Sequence, residues 1–310
     1  MELISEPFTI RDAVRHGLHA DALTELCRSG ELVRPHQGVY LPAALADDLD
    51  ARIAATAHVL PRGAAVARES AAWVLGLDVR PPDRWQSPPL LECVVPVGAV
   101  RPDRPGIRAF ISDLPLEDVA IVNGVPVTTP TRTGLDLARY RPRFIGLGAV
   151  DALTHAGLTT IDELVAASER LKGRRFIRRA CEVIDLCEPA AESPPESWMR
   201  LRLIEAGLPR PAVQVSLTDE HGREMYRLDS GYLKERVGIE YDGVEHHLRT
   251  VDQQRHGEKR RRDLRERFQW IVLVATSGDI LGRAPLLEHA VMELLGLSLE
   301  VRRKPWGHGY

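Results

Sequence analysis

Apolar positions recur along this chain with two periods, one helical and one of strict alternation, and the switches between them divide it into three parts. In the first part, residues 1–45, "TIRDAVRHG" and "HADALTELCRSG" follow the helical period. The second stretch brings Ala22, Leu23, Leu26 and Cys27 onto one face, and the stretches end at Gly17 and Gly30, where a helix readily stops. Two β-rich runs follow, Leu32–Val33 and Val39–Leu41, around a Pro-His-Gln-Gly turn. Two short helices and then a hairpin predict a winged helix-turn-helix. Thr24 and Arg28, with Asp21 and Glu25, would lie on or near the exposed face of the second helix, and Arg34 and His36 on the wing. DNA is the expected partner of Thr24, Arg28, Arg34 and His36. The competing reading is a helical cap that touches no DNA, and the two acidic residues on the second helix keep it open.

The second part, residues 46–187, reads as an α+β region. "LDARIAATAHVL" and "AAVARESAAWVLGL" have helical period, and the Pro-rich "DVRPPDRWQSPPL" reads as loop. "LLECVVPVG", "GIRAFIS" and "VAIVNGVPVTTP" read as strands, with Asn123-Gly124 as a hairpin turn. Further helices follow, one of them starting at a Thr160/Glu163 capping pair. Thr131, Arg132, Thr133 and Asp136 form a polar knot that reads as capping and a local ion pair before it reads as catalysis.

A proline cluster, Pro189, Pro194 and Pro195, opens the third part, residues 188–310. Its order is helix, strand, strand, strand, helix, strand, helix, which predicts an α/β sandwich with a mixed sheet. The continuous apolar run "WIVLVAT" reads as a buried central strand. The fold class is therefore an α/β multidomain chain.

Composition narrows this picture only a little. The chain has 310 residues, 44% hydrophobic and 27% charged, with a net charge of −3 from 41 basic and 44 acidic side chains. Those values are ordinary for a soluble protein. No apolar run is long enough for a membrane helix, and "MELISEPFTIRDAV" lacks the basic and apolar regions of a signal peptide. Cys27, Cys93, Cys181 and Cys187 are widely spaced and read as reduced thiols, so a cytoplasmic location is expected, without a membrane partner. Charge is more informative locally. Residues 249–267 hold eight Lys/Arg against four Asp/Glu, which suits a polyanion, and Arg255, Lys259 and Arg262 are candidate DNA contacts there.

The candidate chemistry lies just before that basic stretch, in "RLDSGYLKERVGIEYDGVEHH". Side chains alternate along a strand, so Glu240 and Asp242 share one face of their strand, and Asp229 on the preceding strand can reach the same edge. Converging carboxylates repel unless a cation neutralises them or one takes a proton. A hard divalent cation, Mg²⁺ or Mn²⁺, held by Asp229 and Glu240 fits that need and would activate water at a phosphate. His246 and His247 could move protons or contact phosphate, and Glu196 on the first helix could reach back toward metal-bound water. Each residue has a structural reading too. Asp242-Gly243 is a common turn pair, and Ser193-Pro194-Pro195-Glu196 matches a helix cap.

Residues 190–276 resemble proteins related to the very-short-patch repair endonuclease of the PD-(D/E)xK superfamily, through "ESPPESWMRLRLIEAGLPRP", "LDSGY", "GIEYDGVEHH" and "RRRDLRERFQWIVLVAT". The resemblance implies a restriction-endonuclease-like fold and Mg²⁺-dependent DNA cleavage. It assigns Asp229 and Glu240 as metal ligands and Glu196 and His247 as further active-site residues. Asp242 stands where the superfamily has its lysine, which leaves the general base open among His246, His247 and Lys259. Residues 1–180 resemble the AbiEi-type abortive-infection antitoxin, through "FTIRDAVRHGLHADALTELCRSGELVRPHQGVYLP", "RESAAWVLGL" and "VTTPTRTGLDLA". That resemblance implies a winged helix that represses its own operon and a following domain that opposes a toxin encoded elsewhere. Two functions thus compete: a Mg²⁺-dependent endonuclease targeted by its winged helix, or a non-catalytic DNA-binding repressor and antitoxin of a type IV toxin–antitoxin system. An RNA substrate is compatible with the same residues.

Overall fold

The computed structural model describes residues 6–81, 90–103, 105–243, 251–298, 300, 301 and 306, with side chains of the long basic helix described from residue 259 onward. The chain forms two compact mixed α/β units, Met1–Tyr140 with Gly157–Cys181, and Arg141–Ala156 with Glu182–Tyr310. The expected middle part is thus divided, since residues 141–156 group with the C-terminal part.

The first unit opens with β1 (Phe8–Thr9), α1 (Ile10–Arg15), α2 (Ala20–Arg28), β2 (Leu32–His36) and β3 (Val39–Pro42). Thr9 and Asp12 cap the start of α1 reciprocally. The three strands form an antiparallel sheet in the order β1-β3-β2. Phe8, Ala13, Leu23, Leu32 and Tyr40 make the local core. Beyond these come α3 (Leu49–Ala57), β4 (Ala65–Val66), α4 (Arg68–Val74), β5 (Leu91–Val95), β6 (Ile107–Ile111), β7 (Val119–Val122), β8 (Val125–Thr128) and α5 (Pro130–Tyr140). The five strands form a mixed sheet in the order β6-β5-β4-β8-β7. Asn123 and Gly124 both have positive φ, 47° and 81°, as the two-residue turn between β7 and β8 requires.

One expected helix is partly a strand. "AAVARESAAW" is rich in helix formers, yet Ala65 and Val66 pair with β5, and Val66 also with β8. Sheet pairing outweighs the intrinsic preference, which is small per residue. The switch from strand to helix falls at Arg68, which has φ +54°. Its guanidinium lies over the rings of Phe110 and Tyr140, at 3.4 and 4.5 Å from their centroids.

The polar knot is a buried ion network. Arg132 donates to Asp136 at 2.8 Å and to Asp118 at 2.9 Å, and Arg139 donates to Asp136 at 3.0 Å. Arg170, at the end of α7 (Ile161–Arg170), donates to the second oxygen of Asp118 at 3.0 Å. The Thr160/Glu163 capping box is formed at the start of that helix.

The second unit is built on α6 (Arg143–His155) and α9 (Pro194–Glu205); α8 (Ile177–Ile184) straddles the division. Gly148 lets α6 and α9 approach closely, for a Cβ there would meet Trp198 Nε1 at 2.6 Å. Arg200 on α9 donates to Asp151 on α6 and to the Leu186 carbonyl, each at 2.6 Å, and both members of the ion pair are buried. After α9 come β9 (Ala212–Thr218), β10 (Glu224–Tyr232), β11 (Val237–Tyr241), α10 (Val251–Glu266), β12 (Ile271–Ala275), α11 (Ser277–Leu281) and α12 (Leu286–Leu294). The expected order of elements holds, with α11 added through a Thr276/Asp279 capping box. The sheet order is β12-β11-β10-β9, with β11 and β12 parallel and the other pairs antiparallel.

The expectation of a buried central strand at "WIVLVAT" is corrected. Among the described residues β12 pairs only with β11, which makes it an edge strand, and Ile271 at its start is 45% exposed. The central strands are β10 and β11, where Leu228, Val237 and Ile239 are fully buried.

Candidate nucleic-acid interface and acidic site

In the first unit, α2 turns Leu23 into the core and leaves Asp21, Thr24, Glu25 and Arg28 exposed, as the helical period requires. The Thr24 hydroxyl donates back to the Ala20 carbonyl at 2.9 Å. Arg28 pairs with Glu25 one turn earlier at 2.9 Å, with both side chains largely in solvent. Arg34 is exposed on β2. His36 is not available as a wing contact, because it is only 2% exposed. Its Nε2 lies 2.9 Å from the Thr56 hydroxyl, and its ring stands edge-on to Trp73. Burial holds its pKa down at about 4, so it is a neutral core imidazole near pH 7. The polar "PHQG" reads as an exposed turn, and the long-range partners that bury His36 leave no local signal.

In the second unit, the antiparallel register of β10 and β11 pairs Ser230 with Ile239, which sets Asp229 opposite Glu240 one step further out. On the other side, the pairs Leu228–Val215 and Ser230–Val213 set Asp229 opposite Gln214. Asp229 Oδ2 accepts the Tyr241 backbone N–H at 2.7 Å, so a carboxylate oxygen stands in for a ladder carbonyl. Glu196 reaches the same neighbourhood from the first turn of α9. Its oxygens accept from the Ser193 hydroxyl at 2.7 Å, the Glu192 N–H at 3.1 Å and the Gln214 side-chain amide at 3.0 Å. It is therefore both part of the helix cap and part of the acidic cluster.

Two residues that shape this cluster carry no clear signal in the sequence. Gln214 has φ +51°, the left-handed region that side chains enter at a cost of roughly 1–2 kcal/mol. This backbone strain stands directly opposite Asp229. Arg260, on α10, forms an ion pair with Glu240 and donates to the Arg227 carbonyl at 3.2 Å. Its guanidinium also lies 5.6 Å from the centroid of the Tyr226 ring. The Tyr226 hydroxyl in turn donates to Asp263 at 2.5 Å. Burial pushes the Asp229 carboxyl up to about 6; Glu196 and Glu240 push the same way, while the Tyr241 N–H and Arg260 act against them.

The other predicted residues are spread out. Asp242 follows β11 and its N–H donates to the Ala275 carbonyl at 2.8 Å, continuing the ladder to β12. Lys259 and Arg262 are exposed on α10. His246, His247 and the side chain of Arg255 lie outside the described residues.

Oxygen donors such as Asp229 and Glu240 suit Mg²⁺ by chemistry. As arranged, the set does not fit the ion. Glu240 is held by Arg260, both oxygens of Glu196 accept hydrogen bonds, and among the described residues no three His, Cys, Asp or Glu are grouped to hold a metal. No described helix is long and apolar enough to cross a membrane.

Comparison with known proteins adds to the first unit above all. Residues 2–43 match the family model for "Transcriptional regulator, AbiEi antitoxin", and residues 64–186 match that for "AbiEi antitoxin C-terminal domain". Two Mycobacterium tuberculosis proteins, described as uncharacterized proteins MT2308 (strain CDC 1551 / Oshkosh) and Rv2248 (strain ATCC 25618 / H37Rv), are each 28% identical over 256 residues, covering 82% of this chain and 88% of their own. The crystal structure of the RV2827C protein from the same species is 20% identical, with a TM-score of 0.33, covering 58% of this chain and 71% of that one. At that level the likeness carries no argument about the fold.

Proposed function

We propose that the chain is a DNA-binding transcriptional regulator and antitoxin of the AbiEi type, acting beside a toxin encoded elsewhere. The observation that carries this reading is the pair of antitoxin-family matches, at residues 2–43 and 64–186. The geometry of the first 45 residues supports it: two short helices, a hairpin, and an exposed α2 face bearing Thr24 and Arg28 beside Arg34. These elements would act as a winged helix-turn-helix with α2 in the major groove. Phosphate contacts by Arg28 and Arg34 make affinity fall steeply with salt. The test is fluorescence anisotropy with the DNA upstream of the protein's own gene. Wild type is expected to bind it better than a scrambled duplex, and the Arg28→Ala, Arg34→Ala double variant to lose at least tenfold with a shallower salt dependence. Equal binding of the two duplexes by wild type would overturn the reading.

A second reading concerns the C-terminal unit alone: phosphodiester hydrolysis by a restriction-endonuclease-like fold. A specific observation favours it, the half-buried Asp229 set between a backbone-strained Gln214 and Glu240. Strain of this kind collects at functional sites. Asp229 and Glu240 would be the residues for Mg²⁺ or Mn²⁺, with Lys259 and Arg262 facing the DNA. Cleavage of plasmid DNA with Mn²⁺ and with EDTA, in wild type, Asp229→Ala and Glu240→Ala, tests it. Cutting that survives both substitutions would sink the assignment.

A further inference from the structure

The β2–β3 hairpin stands where a wing would stand, yet its tip is built into the protein. We propose that the hairpin is a clamp in place of a groove-reading wing, and that Gln37 and Gly106 are positioning residues for DNA recognition by α2. The inference rests on the regulator reading above and concerns how its DNA-reading helix is held.

Three observations carry it. First, the hairpin is a wall shared by two cores. Side chains alternate along β3, so neighbours go to opposite sides. Val39 packs in one core with Ile53, Val66, Val74 and Leu91 of α3, β4, α4 and β5, and Tyr40 packs in the other with Phe8 and with Leu23 of α2. β2 divides in the same way: Leu32 joins the core of α2, while His36 reaches the Thr56 hydroxyl on α3 and the Trp73 ring on α4. Packed interiors transmit displacement, so a shift of the hairpin is passed on to α2. Second, the tip has a seat. The Gly38 carbonyl accepts the Ile10 N–H at 3.1 Å, which ties the turn to the start of α1. Gln37 lies against Gly106, just before β6, where a Cβ would meet Gln37 Cβ at 2.8 Å and Oε1 at 2.9 Å. Gly106 is itself held, because its carbonyl accepts the Leu91 N–H at 2.8 Å. A carbon–carbon contact settles at about 3.5–4.0 Å, so a methyl group at Gly106 displaces the turn by roughly 1 Å. Third, the tip does not project. From Pro35 to Leu41, Gln37 alone is exposed. Reaching base edges means entering a groove about 8 Å deep, and one side chain lying against Gly106 is a poor probe for that. Thr24 and Arg28 on α2 and Arg34 on the body of β2 are exposed and remain the candidate DNA contacts.

The experiment measures binding of the full chain to the DNA upstream of its own gene and to a scrambled duplex, by fluorescence anisotropy. Gly106→Ala should lower the ratio of the two affinities at least fivefold, while binding to the scrambled duplex, which rests on phosphate contacts, changes less than twofold. Gly106 has φ +82°, so alanine is strained there whatever it touches. Two variants separate that strain from the contact. Gly63→Ala has similar strain, at φ +75°, with nothing within 4 Å of the new methyl group, and should keep the wild-type ratio. The Gln37→Gly, Gly106→Ala double variant keeps the strain, removes the contact and should recover the ratio to within twofold. Amide hydrogen exchange on wild type needs no variant to fold. The upstream duplex should slow exchange in residues 20–28 and leave residues 36–40 unchanged. An unchanged ratio in Gly106→Ala, an equal loss in Gly63→Ala, a loss that the double variant does not recover, or slowing at residues 36–40 as great as in α2 would each overturn the clamp. Equal binding of the two duplexes by wild type removes the regulator reading and the clamp with it. Specific binding by wild type that Gly106→Ala keeps removes the clamp alone.

Discussion

The two units use the same residue types to opposite ends. Around Arg132 in the first, three arginines (Arg132, Arg139 and Arg170) share two carboxylates, Asp118 and Asp136, and Arg132, Arg139 and both aspartates are buried. Every carboxylate oxygen in that network has an arginine partner. Around Arg260 in the second, one arginine partly in solvent pairs with Glu240 and lies close enough to Asp229 to affect its ionisation, while Glu196 also acts on Asp229. A largely enclosed network in which every carboxylate oxygen is paired holds helices and loops together and has little left to offer a ligand. An acid-rich, half-open one retains charge that something else must neutralise. The pairing of carboxylates, more than the presence of charge, separates scaffold from candidate chemistry.

The sharpest way to break that contrast is to unbalance the first network. Asp136→Ala leaves Arg132 and Arg139 buried without their shared acceptor and should cost about 3–5 kcal/mol of stability, read by urea denaturation. The intolerance of that unit for unpaired charge should also show at His36, which has no carboxylate partner to welcome a proton. Its folded pKa lies below the unfolded value of roughly 6.5. Its contribution is therefore complete above that value and is lost as pH falls toward about 4. Between pH 7.5 and 5 the wild type should lose about 2 kcal/mol more than His36→Gln does. The smallest effect is expected at the open site. Arg260→Gln breaks a partly solvated pair and should change stability by no more than about 1 kcal/mol. If it destabilises as much as Asp136→Ala, the division between scaffold and site is wrong.

Much of this was legible from residue order. Periodicity located α9, β9, β10, β11 and α10, and alternation brought Asp229 and Glu240 to one edge, where the register sets them opposite each other. What escaped depends on long-range partners. An apolar run looks alike at the centre and at the edge of a sheet, so the run alone does not set β12 at the edge. Ala65 and Val66 become a strand only because β5 and β8 lie beside them. His36 is inside because Thr56, twenty residues on, offers a hydroxyl. Gln214 looks like any polar strand residue in the sequence, its positive φ being invisible there, and Arg260 is one of several arginines in a basic run, distinguished only by its pairing with Glu240.

The crossing of the chain between units has a consequence for how the protein can be taken apart. Residues 141–156 belong to the C-terminal unit although residues of the N-terminal unit lie on both sides of them in the sequence. A fragment begun at residue 188, the boundary the prolines suggest, would leave Arg200 without Asp151 and without the Leu186 carbonyl. It would also strip away the helix whose Gly148 accommodates Trp198. The two units alternate along the sequence, so neither can be excised by a single cut of the chain.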